Sequence, residues 1–572
     1  MSLTRSVFFS PSVEFSSTKF SNKSKLPNLF FGNEKSKSKL RSSGKLGVSY
    51  NGYPYFTAPR HPLESELPPR LAECGAMPEL QAELDSGIGI DSFFEGKNIF
   101  ITGGTGLLGK TLIEKLLRST SVGKIYVLVK ASDKEAALDR LTKEIMNSEL
   151  FVCLREKHGE TYEEYVRSKL IPIVGNICEP NIGMDINSAN KIMEEVDVIV
   201  ESAASTTLND RYDFLLDINV NAPLRLMRFA KKCKNLKLFV HISTAYVNGI
   251  REGIIYEKPL MMGENGRKHD DNDELSSSLF PLDLTDEMNL AMKACIASGD
   301  RDTTKDLKRL GLERAAYYGW YNAYHMTKAM GEMVLNETRQ DVPLLILRPS
   351  VVESCYKEPV PGWIQGNRMY DPVIISYGKG QLPAYLADPN LHTDIVPVDM
   401  VANTTIAAIA KHGIVRKAGV NVYHVATDFV NPLRFNEMFE YIYEHFRANP
   451  LVESENMVKM RLFDQFSNLS TYIRDHVSER NTVVGVESKT RKHNKARVAY
   501  AEQLCKMYEF IGFFKARFHT GNTRALLEEM SEEERAVFEV DATKIDWKKY
   551  FVDIHIPGLR KHVVNATRLA GV

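Results

Sequence analysis

The stretch Lys97–Arg118, KNIFITGGTGLLGKTLIEKLLR, decides the fold. It opens with a short β-branched and aromatic run, KNIFIT, and a glycine cluster follows at once. Beyond the glycines, Leu108, Leu112 and Leu116 recur at i, i+4 and i+8 with Ile113 and Leu117 beside them, which makes one apolar helix face. A second strand-like run, KIYVLV at Lys124–Val129, completes a strand, turn, helix, strand unit. Further buried-strand patterns stand at Val196–Val200 (VDVIV), Leu236–Ile242 (LKLFVHI) and Leu344–Leu347 (LLIL). Strands alternating with helices predict an α/β fold with a Rossmann-type, doubly wound parallel sheet.

Within the opening stretch, Thr102–Gly109 reads TGGTGLLG, with Gly103, Gly106 and Gly109 at a G-x-x-G-x-x-G spacing between strand and helix. The first glycine allows the turn, the second lets backbone approach a pyrophosphate, and the third lets the helix pack against the sheet. The N–H groups of that helix then face the anion. Thr102, Gly103, Gly104, Thr105, Gly106, Leu107 and Gly109 are therefore candidate cofactor-binding residues. An NAD site usually places Asp or Glu just past the second strand, to hold the ribose 2′-hydroxyl. This chain has Lys130 there, a cation suited to a 2′-phosphate, although Asp133 lies close by. NADPH is the expected cofactor.

Reduction of a carbonyl needs a proton donor on its oxygen, and a tyrosine beside an ammonium can serve. The chain holds three Y-x-x-x-K patterns. Tyr126 and Lys130 lie on a strand, where four residues span ~13 Å and the side chains cannot meet. Tyr165 and Lys169 precede the third strand, on the wrong side of the crevice. Tyr324 and Lys328 open a helical run, 324–337, and share one of its faces. Ser243 and Thr244, in VHISTAYVNG, come at the carboxyl end of the preceding strand, where doubly wound folds bind ligands. His241 and His325 read as packing or surface residues, and His, Asp and Glu show no spacing typical of a metal site.

Composition bounds the rest. The chain has 572 residues, 73 basic and 73 acidic, with 43% hydrophobic residues and 7 scattered cysteines. Such values exclude a disordered, collagen-like or disulfide-dense protein. No apolar run approaches the ~18 residues of a membrane-spanning helix. The zero net charge is a sum of unlike parts. Residues 1–50 hold nine Lys/Arg, two Glu and thirteen Ser, a net of +7, so the remainder carries −7. A basic, serine-rich, acid-poor leader has the composition of an organelle transit peptide. We assign 1–60 to that leader and 61–90 to a proline-bearing linker, with order beginning near Gly96. Residues 91–430 form the Rossmann reductase domain with an insertion at 251–316, 431–474 a connecting segment, and 475–572 a mainly helical C-terminal domain. The basic stretch Lys489–Arg497, KTRKHNKAR, is a candidate docking site for an acidic partner.

With TGGTGLLG, STAYVNG and YHMTKAMGE in place, the chain resembles the extended short-chain dehydrogenase/reductases. More narrowly, it is similar to plant alcohol-forming fatty acyl reductases of the male-sterility type. The resemblance runs over about 85–572 and includes DRYDFLLDIN (210–219), KPLMMG (258–263), GLERA (311–315), LRPSVVES (347–354), EPVPGWIQGNRMYDP (358–372), YGKGQ (377–381), DIVPVDMV (394–401) and HIPGLRKHV (555–563). It implies NADPH-dependent reduction of a long-chain acyl-CoA or acyl carrier protein thioester to a primary alcohol through an aldehyde, in the plastid stroma, for pollen-wall or other surface lipid. It also implies Tyr324 and Lys328 as the catalytic pair, Thr244 as third member with Ser243 in reserve, and Ala203 and Lys328 among the cofactor contacts. The implied partner at Lys489–Arg497 is acyl carrier protein, and no nucleic acid, metal or transmembrane segment is expected. The competing readings are a ketone reductase or nucleotide-sugar epimerase on the same fold, or a non-catalytic NADP(H)-binding protein.

Overall fold

The computed structural model describes residues 87–267, 281–298, 303–451, 458–484 and 489–565. The leader, most of the linker and part of the insertion lie outside the described residues. The central sheet has seven parallel strands: β1 (Ile99–Thr102), β2 (Ile125–Val129), β3 (Leu170–Val174), β4 (Val198–Glu201), β5 (Leu238–Ile242), β6 (Leu344–Pro349) and β7 (Val420–Val425). Their spatial order is β7-β6-β5-β4-β1-β2-β3. The order reverses between β1 and β4, so the ligand crevice lies at their carboxyl ends. Every residue of β1, β2, β4 and β6 is buried. That burial on both faces is why these strands read as continuous apolar runs.

Each face of the sheet carries its own helical layer. Helix α1 (Leu107–Ser119) follows the glycine loop, α2 (Ala323–Thr338) carries the Tyr/Lys pair, and α3 (Val398–Val415) packs beside α1. Leu112 and Ile113 of α1 share a core with Val401 and Ile406 of α3 and with Tyr550, Phe551 and Ile556 near the C-terminus. On the other face, Phe100, Ile199, Phe239 and Ile346 pack under the helix Ala222–Ala230.

Among its described residues the insertion carries two helices and a short strand. Leu284–Ser298 and Thr303–Tyr318 form a pair, and Leu284, Ala291, Ala315 and Tyr318 join Met326, Met330 and Met333 of α2 in a third core. Near the start of the insertion, Gly253–Ile255 forms a strand that pairs with Ala516–Phe518. That pairing ties the insertion to the C-terminal segment, which is part of the same compact unit as the sheet. Packing is thus continuous across residue 475.

Order also begins earlier than expected, with a short helix at Ile90–Phe94. Its Ile90, Phe93 and Phe94 are buried in the first core, so the end of the linker contributes apolar anchors. The backbone N–H groups of Ile88, Gly89 and Ile90 all donate to the Glu534 carboxylate, each at 2.8 Å.

Candidate active site

The glycine loop closes on itself. Gly103 has φ of 71°, and a Cβ there would fall 2.7 Å from the Ala203 nitrogen. A Cβ on Gly109 would fall 2.3 Å from the Gly103 carbonyl oxygen, so α1 starts hard against the turn. The Thr102 hydroxyl accepts from the N–H groups of Ser202 (3.3 Å) and Ala203 (3.2 Å), which locks the ends of β1 and β4 together. Leu107 is the first buried residue of α1, and no side chain caps that helix at Gly106. Its leading N–H groups therefore stay open to an anion. The Thr105 carbonyl accepts from Gln365 Nε2 (3.2 Å), which brings the 358–372 segment over the loop. These features fit a dinucleotide.

At the end of β2, Lys130 is exposed, and its carbonyl accepts from Arg140 at 2.7 Å. Asp133 is engaged elsewhere: it accepts from the Ala136 N–H (2.8 Å) and the Ser132 hydroxyl (2.9 Å) and caps the helix Lys134–Leu141. Those bonds, the backbone one foremost, hold its carboxyl below the usual range.

Asn322 caps α2 through the His325 N–H at 2.9 Å and so sets the helix phase that presents Tyr324 and Lys328 on one face. The Lys328 ammonium, 1% exposed, donates to the Ile242 carbonyl at 2.8 Å and lies 3.2 Å from His241 Nε2. His241 Nδ1 in turn bonds the Glu201 carboxylate. His241 is therefore a hydrogen-bonded group at the site rather than a packing residue. Burial lowers the Lys328 pKa, against the pull of Glu201 and Glu332. The His241 pKa also falls, first from burial and then from the Lys328 charge. Burial raises the Tyr324 phenol, and the opposing cation is Arg368. The sequence suggested Lys328 for that part and offered no signal for Arg368, which lies forty residues further on.

The two hydroxyls differ. Ser243 Oγ is buried without a hydrogen-bond partner, while its N–H donates to the Leu347 carbonyl at 2.7 Å. Thr244 Oγ1 lies 3.5 Å from the Pro349 carbonyl and accepts from the Tyr246 N–H at 3.4 Å, capping the turn Ala245–Asn248. Both bonds are long, so either hydroxyl can turn toward a ligand.

An apolar wall adjoins the start of α2. His325 stacks on Tyr246 (5.3 Å between centroids) and meets Phe510 edge-on at 5.2 Å, and Tyr321 also lies over Phe510. Burial pushes the His325 pKa down to about 3, so it serves as a neutral aromatic. A cavity of about 630 Å³ opens here, lined by Leu208, Leu312, Tyr321, Met507, Phe510 and Phe513, among others. The C-terminal residues in this wall have no local motif that could have revealed them. The helix α4 (Lys489–Met507) carries the basic stretch at its start and reaches the cavity at its end.

A second cluster joins residues up to 202 positions apart. Glu353, Asp371 and His555 are buried with donor atoms within 4.8 Å of one another. Ser354 Oγ bonds His555 Nδ1 at 3.0 Å, and the N–H groups of Tyr370 (3.3 Å) and Arg368 (2.8 Å) donate to Glu353 and Asp371. Burial and the neighbouring Asp371 carboxylate push Glu353 well above the usual range. No linear spacing could have signalled this cluster.

Comparison with known proteins agrees with the architecture. The family model described as male sterility protein matches residues 101–405, and a second model of that description matches 485–566. Fatty acyl-CoA reductase 2, chloroplastic, of Arabidopsis thaliana is 47% identical over 84% of this chain and 80% of its own length. The alcohol-forming fatty acyl-CoA reductase of Simmondsia chinensis is 34% identical over 83% of this chain and 98% of its own. Among solved structures, the terminal R domain of the myxalamid pathway superposes with a TM-score of 0.52 at 15% identity, covering 85% of this chain and 98% of that one, which supports the fold. The chain is an oxidoreductase with a nicotinamide-cofactor crevice, and it belongs to the male sterility protein family of fatty acyl-CoA reductases.

Proposed function

We propose that the chain reduces a long-chain acyl thioester to the primary alcohol with NADPH. The observation that carries this is the placing of the glycine loop and the Ser243/Thr244 turn at the carboxyl ends of strands of one sheet, with an apolar cavity lined by Tyr321 and Asn322 just before Tyr324. Lys130, exposed at the end of β2, favours a 2′-phosphate. Bound NADPH supplies the hydride. Tyr324 O–H and Thr244 Oγ1, with Ser243 in reserve, donate to the thioester carbonyl oxygen as negative charge develops there. The phenol proton passes to that oxygen. The C–S bond of the resulting hemithioacetal then breaks, the thiol leaves with a proton, and an aldehyde remains. A second cycle reduces the aldehyde, with Tyr324 again the proton donor. The acyl chain lies in the cavity edged by Tyr321 and Phe510, where each buried methylene contributes ~0.8 kcal/mol.

The thiol carrier is acyl carrier protein or coenzyme A, and α4 connects the two ends of that question. Its basic start suits an acidic carrier, while Gln503, Lys506 and Met507 line the cavity. The length of α4 puts these ends roughly 27 Å apart. The basic leader and the chloroplastic name of the Arabidopsis relative favour the plastid stroma, with surface or pollen-wall lipid as the destination. The test uses purified full-length protein with NADPH and palmitoyl thioesters of both carriers, followed by gas chromatography of the product. Hexadecanol with two NADPH consumed per thioester is expected. Tyr324→Phe should lower turnover by ~10²–10⁴-fold while NADPH affinity stays within twofold. Turnover near the wild-type rate in that variant overturns the assignment, and charge reversal across Lys489–Arg497 should weaken only the carrier-protein substrate.

A further inference from the structure

Lys328 is buried, yet in the proposed reduction its ammonium has to stay charged to hold a cofactor ribose. The carboxylates that act on it come from two elements, Glu332 of α2 and Glu201 of β4. Glu332 lies one turn on along α2, but its carboxylate takes Arg348 of β6 through Nε (3.0 and 3.2 Å) and Nη2 (2.6 Å), with both side chains 0% exposed. Arg348 also lies 3.5 Å from His424 Nε2 of β7, whose pKa burial pushes down to about 3, so no charge is added there. Tyr324, one turn before Lys328, stays a neutral phenol, and its nearby cation is Arg368. Glu332 is thus neutralised by Arg348, and Glu201 of β4 is the carboxylate left to balance Lys328. Glu201 does not bond the ammonium itself. It bonds His241 Nδ1, and His241 Nε2 faces Lys328.

That arrangement has a definite polarity. With Glu201 accepting from Nδ1–H, the imidazole is fixed in the tautomer whose Nε2 is a bare acceptor. Lys328 then donates one N–H to Nε2 and one to the Ile242 carbonyl, and its third N–H points elsewhere. Glu201 and His241 are register partners on β4 and β5, so the sheet holds the pair rigidly beneath α2.

We propose that Glu201 and His241 are positioning residues that keep Lys328 charged and aimed into the crevice. The inference rests on the proposed reduction for its kinetic part only. It goes beyond the Tyr/Lys pair because it assigns the counter-charge to a carboxylate that reaches the ammonium only through His241.

The sign of the expected effect follows. Removing the Glu201 charge destabilises the ammonium, so Lys328 loses its proton at lower pH. In Glu201→Gln the alkaline limb of the rate–pH profile should move down by about 1–3 pH units. The NADPH dissociation constant, read by nicotinamide fluorescence without turnover, should rise at correspondingly lower pH. His241→Gln keeps an acceptor for Lys328 and leaves Glu201 in place, so it should lower kcat about tenfold with the limb little moved. A thermal melt shows that each variant is folded, and His241→Gln still decides the matter if Glu201→Gln is not. The proposal is overturned if both curves of Glu201→Gln overlie the wild type, or if His241→Gln is indistinguishable from it in kcat and affinity. If the wild type turns over no acyl thioester, the functional reading fails, while the NADPH titration still decides the role of the pair.

Discussion

The glycine loop and the chamber around Lys328 lie at the carboxyl ends of strands of one sheet, yet they are built on opposite plans. The loop is eight consecutive residues, Thr102–Gly109, and backbone sets its geometry: a left-handed Gly103, a helix start jammed against a carbonyl, and open N–H groups. The chamber takes Glu201 from β4, His241 from β5, Lys328 and Glu332 from α2 and Arg348 from β6, and side-chain contacts dominate it, joined by the Ile242 carbonyl. Backbone geometry needs only a glycine in the right place. A buried charge needs partners supplied by the fold, and removing one partner leaves the other uncompensated. Substitutions in the chamber should therefore act on chemistry and protonation, and substitutions in the loop on binding.

After Tyr324→Phe, the largest effect is expected at the two hydroxyls, where the plans meet. Thr244→Val should lower kcat by ~10²–10³-fold, the usual cost of losing one preorganised donor to a developing oxyanion. Ser243→Ala should cost less than tenfold, with NADPH affinity unchanged in both. Single-turnover rates on a palmitoyl thioester separate the two. If the magnitudes reverse, the buried, unpartnered Ser243 Oγ is the donor, and Thr244 serves only as the cap of its turn.

A smaller effect, of a different kind, is expected in the loop. The Cβ of Gly109→Ala would meet the Gly103 carbonyl at 2.3 Å, and neither group is a flexible side-chain end. Overpacking of this sort costs about 1–3 kcal/mol, paired here with a lower NADPH affinity. Isothermal titration with NADPH and a melting curve would measure both. Retained affinity in this variant would mean that the loop tolerates a wider turn and that the contrast with the chamber is weaker than drawn.

The contrast also explains what could be read from the sequence. TGGTGLLG, the fully buried strands and the phase of the Tyr324/Lys328 helix are local patterns, and each is where its pattern placed it. His241 read as packing because one strand gives no sign that Glu201 and Lys328 flank it from 40 and 87 positions away. Arg368, the cation near Tyr324, sits in a loop whose path no periodicity fixes. Phe510 and Phe514 reach Tyr246 from the C-terminal segment, so the wall of the cavity exists only once that segment has docked. The helices of the insertion gave no clear periodic signal, and residues such as Met292 and Ile296 are left exposed.

The smallest effect concerns the segment least expected to be structured. Glu534 accepts from three backbone N–H groups at Ile88–Ile90 and also from the Ser531 N–H of its own helix, so one carboxylate joins chain positions about 445 apart. Replacing a capping acceptor costs about 0.5–2 kcal/mol. Glu534→Ala should lose about 1 kcal/mol, and the loss should be local, because Phe93 and Phe94 remain buried in the first core. Hydrogen exchange should speed up at the amides of Ile88, Gly89 and Ile90 and stay slow across β1 and α1. If β1 exchanges faster as well, the tether is part of the support of the phosphate loop, and the loop's geometry is not the work of its own eight residues alone.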